Sequence, residues 1–180
     1  MFEDIGFSKV LVTGPARSGT HICAVMVAYD TGLCFLPEQA FGCNDVKQFH
    51  HIYREYDNFV APCNALRGYI GEFGQDDTLI IIKYRPAAEI VASGRRIGGS
   101  LAHMPDATDY VERQYVLIEE QLPLLTHYVK IEHDSLSGHP LWIDGHGRAR
   151  FSPRQVHRER RIGELVKICP FINEKLARYI

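Results

Sequence analysis

The chain has 180 residues, of which 46% are hydrophobic and 23% charged, with a formal net charge of −2. That length suits one packed domain and is short for two. The near-neutral balance gives no reason to expect nucleic acid or an anionic membrane as an obligate partner, and no apolar run approaches the ~20 residues of a membrane span.

Five cysteines (Cys23, Cys34, Cys43, Cys63 and Cys169) form no CxxC pair. Most are expected to be free, buried thiols of a reducing compartment, without a zinc site. No basic-then-apolar leader opens the sequence, so the expectation is a cytoplasmic protein.

In chain order, Val10 to Thr13 is an aliphatic, β-branched run that predicts a strand buried on both faces of a parallel sheet. The segment Gly14-Pro15-Ala16-Arg17-Ser18-Gly19-Thr20-His21 follows, then a predicted helix carrying Ile22, Val25, Met26 and Tyr29 on one face. Gly32 stands where a C-cap glycine belongs. Leu33 to Leu36 predicts a short second strand, and Asn44 to Tyr56 a polar helix capped by Asn44. Phe59 to Ala61 predicts a third strand and Ala65 to Phe73 a helix. Thr78 to Tyr84 is the clearest strand, and Pro86 suits the first turn of a helix running to about Arg96.

Gly98 to Asp106 predicts a loop long enough to act as a lid. Val111, Tyr115, Ile118, Leu122 and Leu125 keep a helical period. Tyr128 to Glu132 predicts a strand, and residues 134–151 an irregular stretch. Ser152-Pro153 starts a basic helical tail in which Arg154, Arg158, Arg160 and Arg161 share a face with His157. The expected fold is α/β: a single-domain three-layer sandwich over residues 1–180, with a mainly parallel sheet flanked by helices. Residues 137–180 would form an irregular loop and helical tail, and the ligand would sit at the C-terminal strand edge.

Gly14-x-x-x-x-Gly19, between a buried strand and a helix, has the spacing of a phosphate-binding loop, or P-loop. In such a loop backbone N–H groups and a helix N-terminus surround an anion. The position of the usual lysine is held by Thr20 and that of the magnesium-binding hydroxyl by His21, so Arg17 supplies the loop's charge. A second group follows the Thr78–Tyr84 strand, where Arg85 and Ser93 lie two helical turns apart and can face the same crevice. Taken together these residues predict a nucleotide site. The histidines at 50, 51, 133, 139, 146 and 157 lack the spacing of a helical metal site and are read as surface or hydrogen-bonding groups.

The segment GPARSGT resembles the G-x-P-R-S-G-T loop of P-loop sulfotransferases. Arg85-Pro-Ala-Ala-Glu-Ile-Val-Ala-Ser93 is similar to that family's 3′-phosphate site, and Val129 to Asp134 resembles its later strand. The resemblance implies 3′-phosphoadenosine 5′-phosphosulfate as donor, held by Gly14 to His21 with Arg85 and Ser93. It implies sulfuryl transfer to an acceptor hydroxyl without a metal. Pro15 falls one position early, His21 replaces a threonine, and the family's late Arg-Lys-Gly segment is missing, with Gly147 to Arg150 as a partial substitute.

The base of such a transferase would be Glu38, beyond the second strand, or His21, with Arg17 on the transferred group. Two alternatives remain open. One is a small kinase using ATP with Mg²⁺, for which a hydroxyl in nucleic acid, such as a hydroxymethylated base, is a conceivable acceptor. The other is a non-catalytic nucleotide-binding protein.

Overall fold

The computed structural model describes residues 1–38, 45–143 and 148–149. Its centre is a five-stranded sheet built from β1 (Lys9–Thr13), β2 (Cys34–Phe35), β3 (Phe59–Pro62), β4 (Thr78–Tyr84) and β5 (Tyr128–Glu132), in the order β2-β3-β1-β4-β5. Every pairing is parallel. A two-residue antiparallel pair, β6 (Trp142–Ile143) with β7 (Arg148–Ala149), follows. β1 is central because it is buried at every position, as an uninterrupted aliphatic run must be when helices cover both faces.

Side-chain alternation along the strands separates two cores. On one face Leu11, Ile80, Ile82 and Phe59 meet α2 (Val46–Glu55), a 3-10 helix at Arg67–Phe73, and Ile118 of α4 (Ala107–Glu119). On the other, Val10, Val12, Val60 and Ile81 meet α1 (Thr20–Thr31) together with Phe2, Leu136 and Leu141. A third cluster joins α3 (Ala87–Arg96), the 3-10 turn Ser100–His103 and α4 through Ile90, Leu101 and Val111. The described residues therefore form three layers with a parallel sheet in the middle.

Several predicted elements shift for physical reasons. The cap of α2 is Asp45, whose Oδ1 accepts the Gln48 N–H at 3.0 Å; Asn44 lies outside the described residues. The helix predicted at Ala65–Phe73 is a 3-10 helix at Arg67–Phe73, in which a Cβ at Gly71 would press on the side-chain ends of Leu124 and Gln121. α4 stops at Glu119, and Leu122 opens a separate 3-10 turn carrying Pro123. α1 is buried around most of its circumference, from Cys23 to Ala28, while Tyr29 is 40% exposed. A helix enclosed on most sides has no single apolar face: Val25 and Met26 are in the core with Ile22 packed against it, as the predicted face requires, and Tyr29 alone of that face lies outside.

Gly32 does end α1, at φ 81° with its N–H on the Ala28 carbonyl. Cys23 and Cys63 are free and buried, as expected of most of the cysteines, whereas Cys34 is disulfide-bonded. Within the irregular stretch, Asp134–Gly138 is a 3-10 turn. The basic tail from Ser152 onward, with Gly147 and Arg150, lies outside the described residues.

Candidate active site

The C-terminal ends of β1 and β4 fix the site. Thr13 pairs with Ile82, which places Gly14 beside Lys83. At φ 156° Gly14 passes against β4, where a Cβ would stand 2.5 Å from Ser18 Oγ and 2.8 Å from the Lys83 carbonyl oxygen. Gly19, at φ 97°, is the N-cap of α1, and a Cβ there would stand 2.6 Å from His133 Nδ1. Both glycines of the spacing are thus required by backbone conformation and by close approach. Arg17 also has positive φ, 74°, a conformation costly for a non-glycine residue and concentrated at functional sites.

Around the loop lies a cavity of about 240 Å³ lined by Arg17, Gly19, Thr20, His21, Arg85 and Ser93 of the predicted set. The same wall holds Asn64, Arg96 and His133, which motif spacing did not single out. Three guanidinium groups therefore surround one cavity at the N-terminus of α1, where the loop amides and the helix dipole add further positive potential. Arg85 is oriented by its neighbours. Its Nε donates to Glu89 Oε2 at 3.1 Å, its Nη1 to the Arg17 carbonyl oxygen at 3.4 Å, and its backbone N–H to the Tyr115 hydroxyl at 2.9 Å. That hydroxyl also donates to the Arg85 carbonyl oxygen at 3.0 Å, so α4 pins the turn that carries Arg85.

Gly14, Pro15 and Ser18 are buried at the back of the loop, and Ala16 is exposed. Gly14, Pro15, Ala16 and Ser18 do not line the cavity. The Ser18 hydroxyl is buried against Gly14 with no hydrogen-bond partner, so of this segment Arg17, Gly19, Thr20 and His21 face the cavity. His21 sets its ring edge against Phe35 at 5.2 Å, and desolvation lowers its pKa below the ordinary histidine value.

Glu38 does not line the cavity but sits behind it. Its Oε1 accepts the N–H of the wall residue Asn64 at 2.8 Å. Burial raises its pKa, opposed by the Asn64 and Ala65 amides and the Arg67 guanidinium.

Lys83 is a residue that sequence reasoning passed over as part of a strand. Its side chain is fully buried beside the loop, with Nζ donating to the Glu132 carbonyl oxygen at 2.8 Å. Desolvation brings its pKa down to about 8, partly offset by Cys23, Glu132 and Asp134. One lysine in the run Thr78 to Tyr84 was the available signal: a charge inside a doubly covered strand is anomalous.

The donor set suits a phosphate-bearing ligand: glycine backbone at the cradle, arginines around it, and two wall residues, Asn64 and His133, whose buried Oδ1 and Nδ1 have no hydrogen-bond partner. Among the described residues no group of three His, Cys, Asp or Glu side chains is arranged to hold a metal ion. No described helix is long and apolar enough to cross a membrane.

No family model and no curated protein matches this chain. Among solved structures it is similar to shikimate kinase from Acinetobacter baumannii in complex with shikimate, with a TM-score of 0.51 and 13% identity over 72% of this chain and 86% of that one. A sugar kinase from Janibacter sp. HTCC2649, unliganded, aligns over 91% of this chain and 96% of its own at 16% identity, but its TM-score of 0.41 is too low to bear on the argument. The described chain has the α/β fold of P-loop kinases, with a parallel five-stranded sheet flanked by helices and the loop leading from β1 into α1.

Proposed function

We propose that the protein is a nucleotide-dependent transferase that moves a phosphoryl group from ATP to a hydroxyl acceptor. The observation that carries this reading is the convergence of Arg17, Arg85 and Arg96 on the cavity at the N-terminus of α1. Phosphoryl transfer asks the protein chiefly for positioning and for stabilisation of charge on the transferred oxygens. Three guanidinium groups with the loop amides supply both, in place of the usual loop lysine. The fold likeness to a P-loop kinase supports the same choice. The Thr20 hydroxyl would be the loop oxygen available to a magnesium ion bound with ATP, which would neutralise charge on the transferred phosphoryl group.

Of the two candidate bases, Glu38 has its proton affinity raised by burial but stands behind the cavity wall with its Oε1 on the Asn64 N–H. His21, which lines the cavity and whose pKa desolvation lowers, is the one placed to reach an acceptor.

A second reading is sulfuryl transfer from 3′-phosphoadenosine 5′-phosphosulfate. It is favoured by one observation: Ser93 and Arg85 share the cavity with Arg96, as a separate phosphate subsite would require. Calorimetry decides between the two. Tight ATP binding with magnesium, and label transfer from γ-labelled ATP to a panel of hydroxyl compounds including hydroxymethylated DNA, is the expected result. Affinity for adenosine 3′,5′-bisphosphate without affinity for ATP would establish the second reading. Nucleotide binding without transfer to any acceptor would point to a non-catalytic role.

A further inference from the structure

His133 follows β5, and its backbone N–H donates to the Tyr84 carbonyl oxygen at 2.8 Å, which fixes its ring at the C-terminal end of β4. The residue is only 5% exposed and still lines the cavity. Its Nδ1–Cε1 edge faces Gly19, occupying the space a Cβ would need, and Trp142 packs against the ring edge to face at 5.1 Å. Nδ1 is buried and makes no hydrogen bond. A group held only for packing would be apolar here, since an unpartnered buried nitrogen is costly.

We propose that His133 is a donor-binding residue of this cavity, whose ring reaches the phosphate chain beside Gly19 from the β5 side and makes the contact that the loop, with Thr20 in the lysine position, does not. The inference rests on the nucleotide-donor reading above. The charges around the ring give it a signature. Desolvation, Arg85 and Lys83 disfavour its protonated form, and Asp134 and Glu89 favour it. Arg17, Arg96 and His21 stand in the same wall, and Trp142 is neutral. A phosphate chain placed among these cations reverses the balance, so His133 takes up a proton as the donor binds. Because the pKa rises on binding, the extra affinity is present at low pH and is lost as pH rises through the bound-state value.

The test is calorimetric titration with ATP and with inorganic tripolyphosphate, each in two buffers of different ionisation enthalpy. The proteins compared are wild type, His133→Leu, His133→Gln and His21→Asn. His133→Leu should melt no lower than wild type yet bind both ligands roughly 10- to 100-fold more weakly, the range for a hydrogen bond to a charged group. His133→Gln should recover part of that affinity but show no proton uptake at this site, while His21→Asn retains the uptake.

Unchanged affinity and unchanged proton uptake in His133→Leu would overturn the inference while leaving the donor reading intact. If the leucine variant does not fold, the ¹⁵N signals of the wild-type His133 ring decide: a shift on adding tripolyphosphate is expected, and none would overturn the inference. Wild-type protein that binds neither ligand would remove the donor reading and this inference with it. Should adenosine 3′,5′-bisphosphate bind in place of ATP, the phosphoryl reading falls, and the same comparison made with that ligand decides the role of His133 separately.

Discussion

Arg17 stands in the cavity wall, exposed, with no side-chain hydrogen bond or ion pair to the fold among the described residues. Arg17→Ala is therefore expected to weaken nucleotide binding by about 1.5–3 kcal/mol in a calorimetric titration with little change in melting temperature. An unchanged affinity would remove Arg17 from the site. Glu38→Gln and His21→Asn separate the two bases. The one that acts should lower kcat by roughly 10²–10⁴-fold while donor affinity holds.

Lys83 makes a prediction about stability. Burial lowers its pKa to about 8 from an ordinary value of 10.5, so between those values the unfolded chain binds more protons than the folded one. Stability then rises with pH across that window. Urea titrations of wild type from pH 7 to 10.5 should show this gain, on the order of 3 kcal/mol by linkage. Lys83→Met should lack the gain and be more stable than wild type at pH 7. A flat wild-type profile would mean that the ammonium is already compensated.

Among the elements, α3 and the turn after it are coupled through Gly94. A Cβ at Gly94 would meet Leu101 Cβ at 2.8 Å and Cδ1 at 2.9 Å. Alanine in a helix interior normally stabilises by about 1 kcal/mol relative to glycine. Here it would push the Ser100–His103 turn away from α3, which also carries Ser93 and Arg96 of the cavity wall. Gly94→Ala is thus expected to destabilise in chemical denaturation and to weaken nucleotide binding together. A gain in stability would show that the segment after Gly98 yields freely, as a lid would. Gly19→Ala combines a left-handed backbone with the contact to His133, and should cost more than either constraint alone.

For the described molecule as a whole, the site is assembled from segments distant in sequence, so ligand and fold stabilise each other. ATP at about 100 times its dissociation constant should raise stability by about 2.7 kcal/mol in a thermal shift experiment. The Arg85→Ala variant should show a smaller shift at the same ATP concentration.

The sequence by itself determined the local parts. The aliphatic runs located β1 and β4, the stretch Tyr128 to Glu132 was read as a strand and is β5, the Gly14–Gly19 spacing marked the loop, and Arg85 and Ser93, two helical turns apart, line one cavity. These features depend on neighbours a few residues away, where period and backbone conformation are written directly. Tertiary structure decided the rest. Strand order placed His133 against Gly19 and Lys83 beneath the loop, contacts across more than sixty positions that no local pattern encodes. It also turned Ser18 inward and held Glu38 behind Asn64. Which histidine lines the cavity follows from strand packing, because a histidine's neighbours, burial and charge exist only once the sheet has formed.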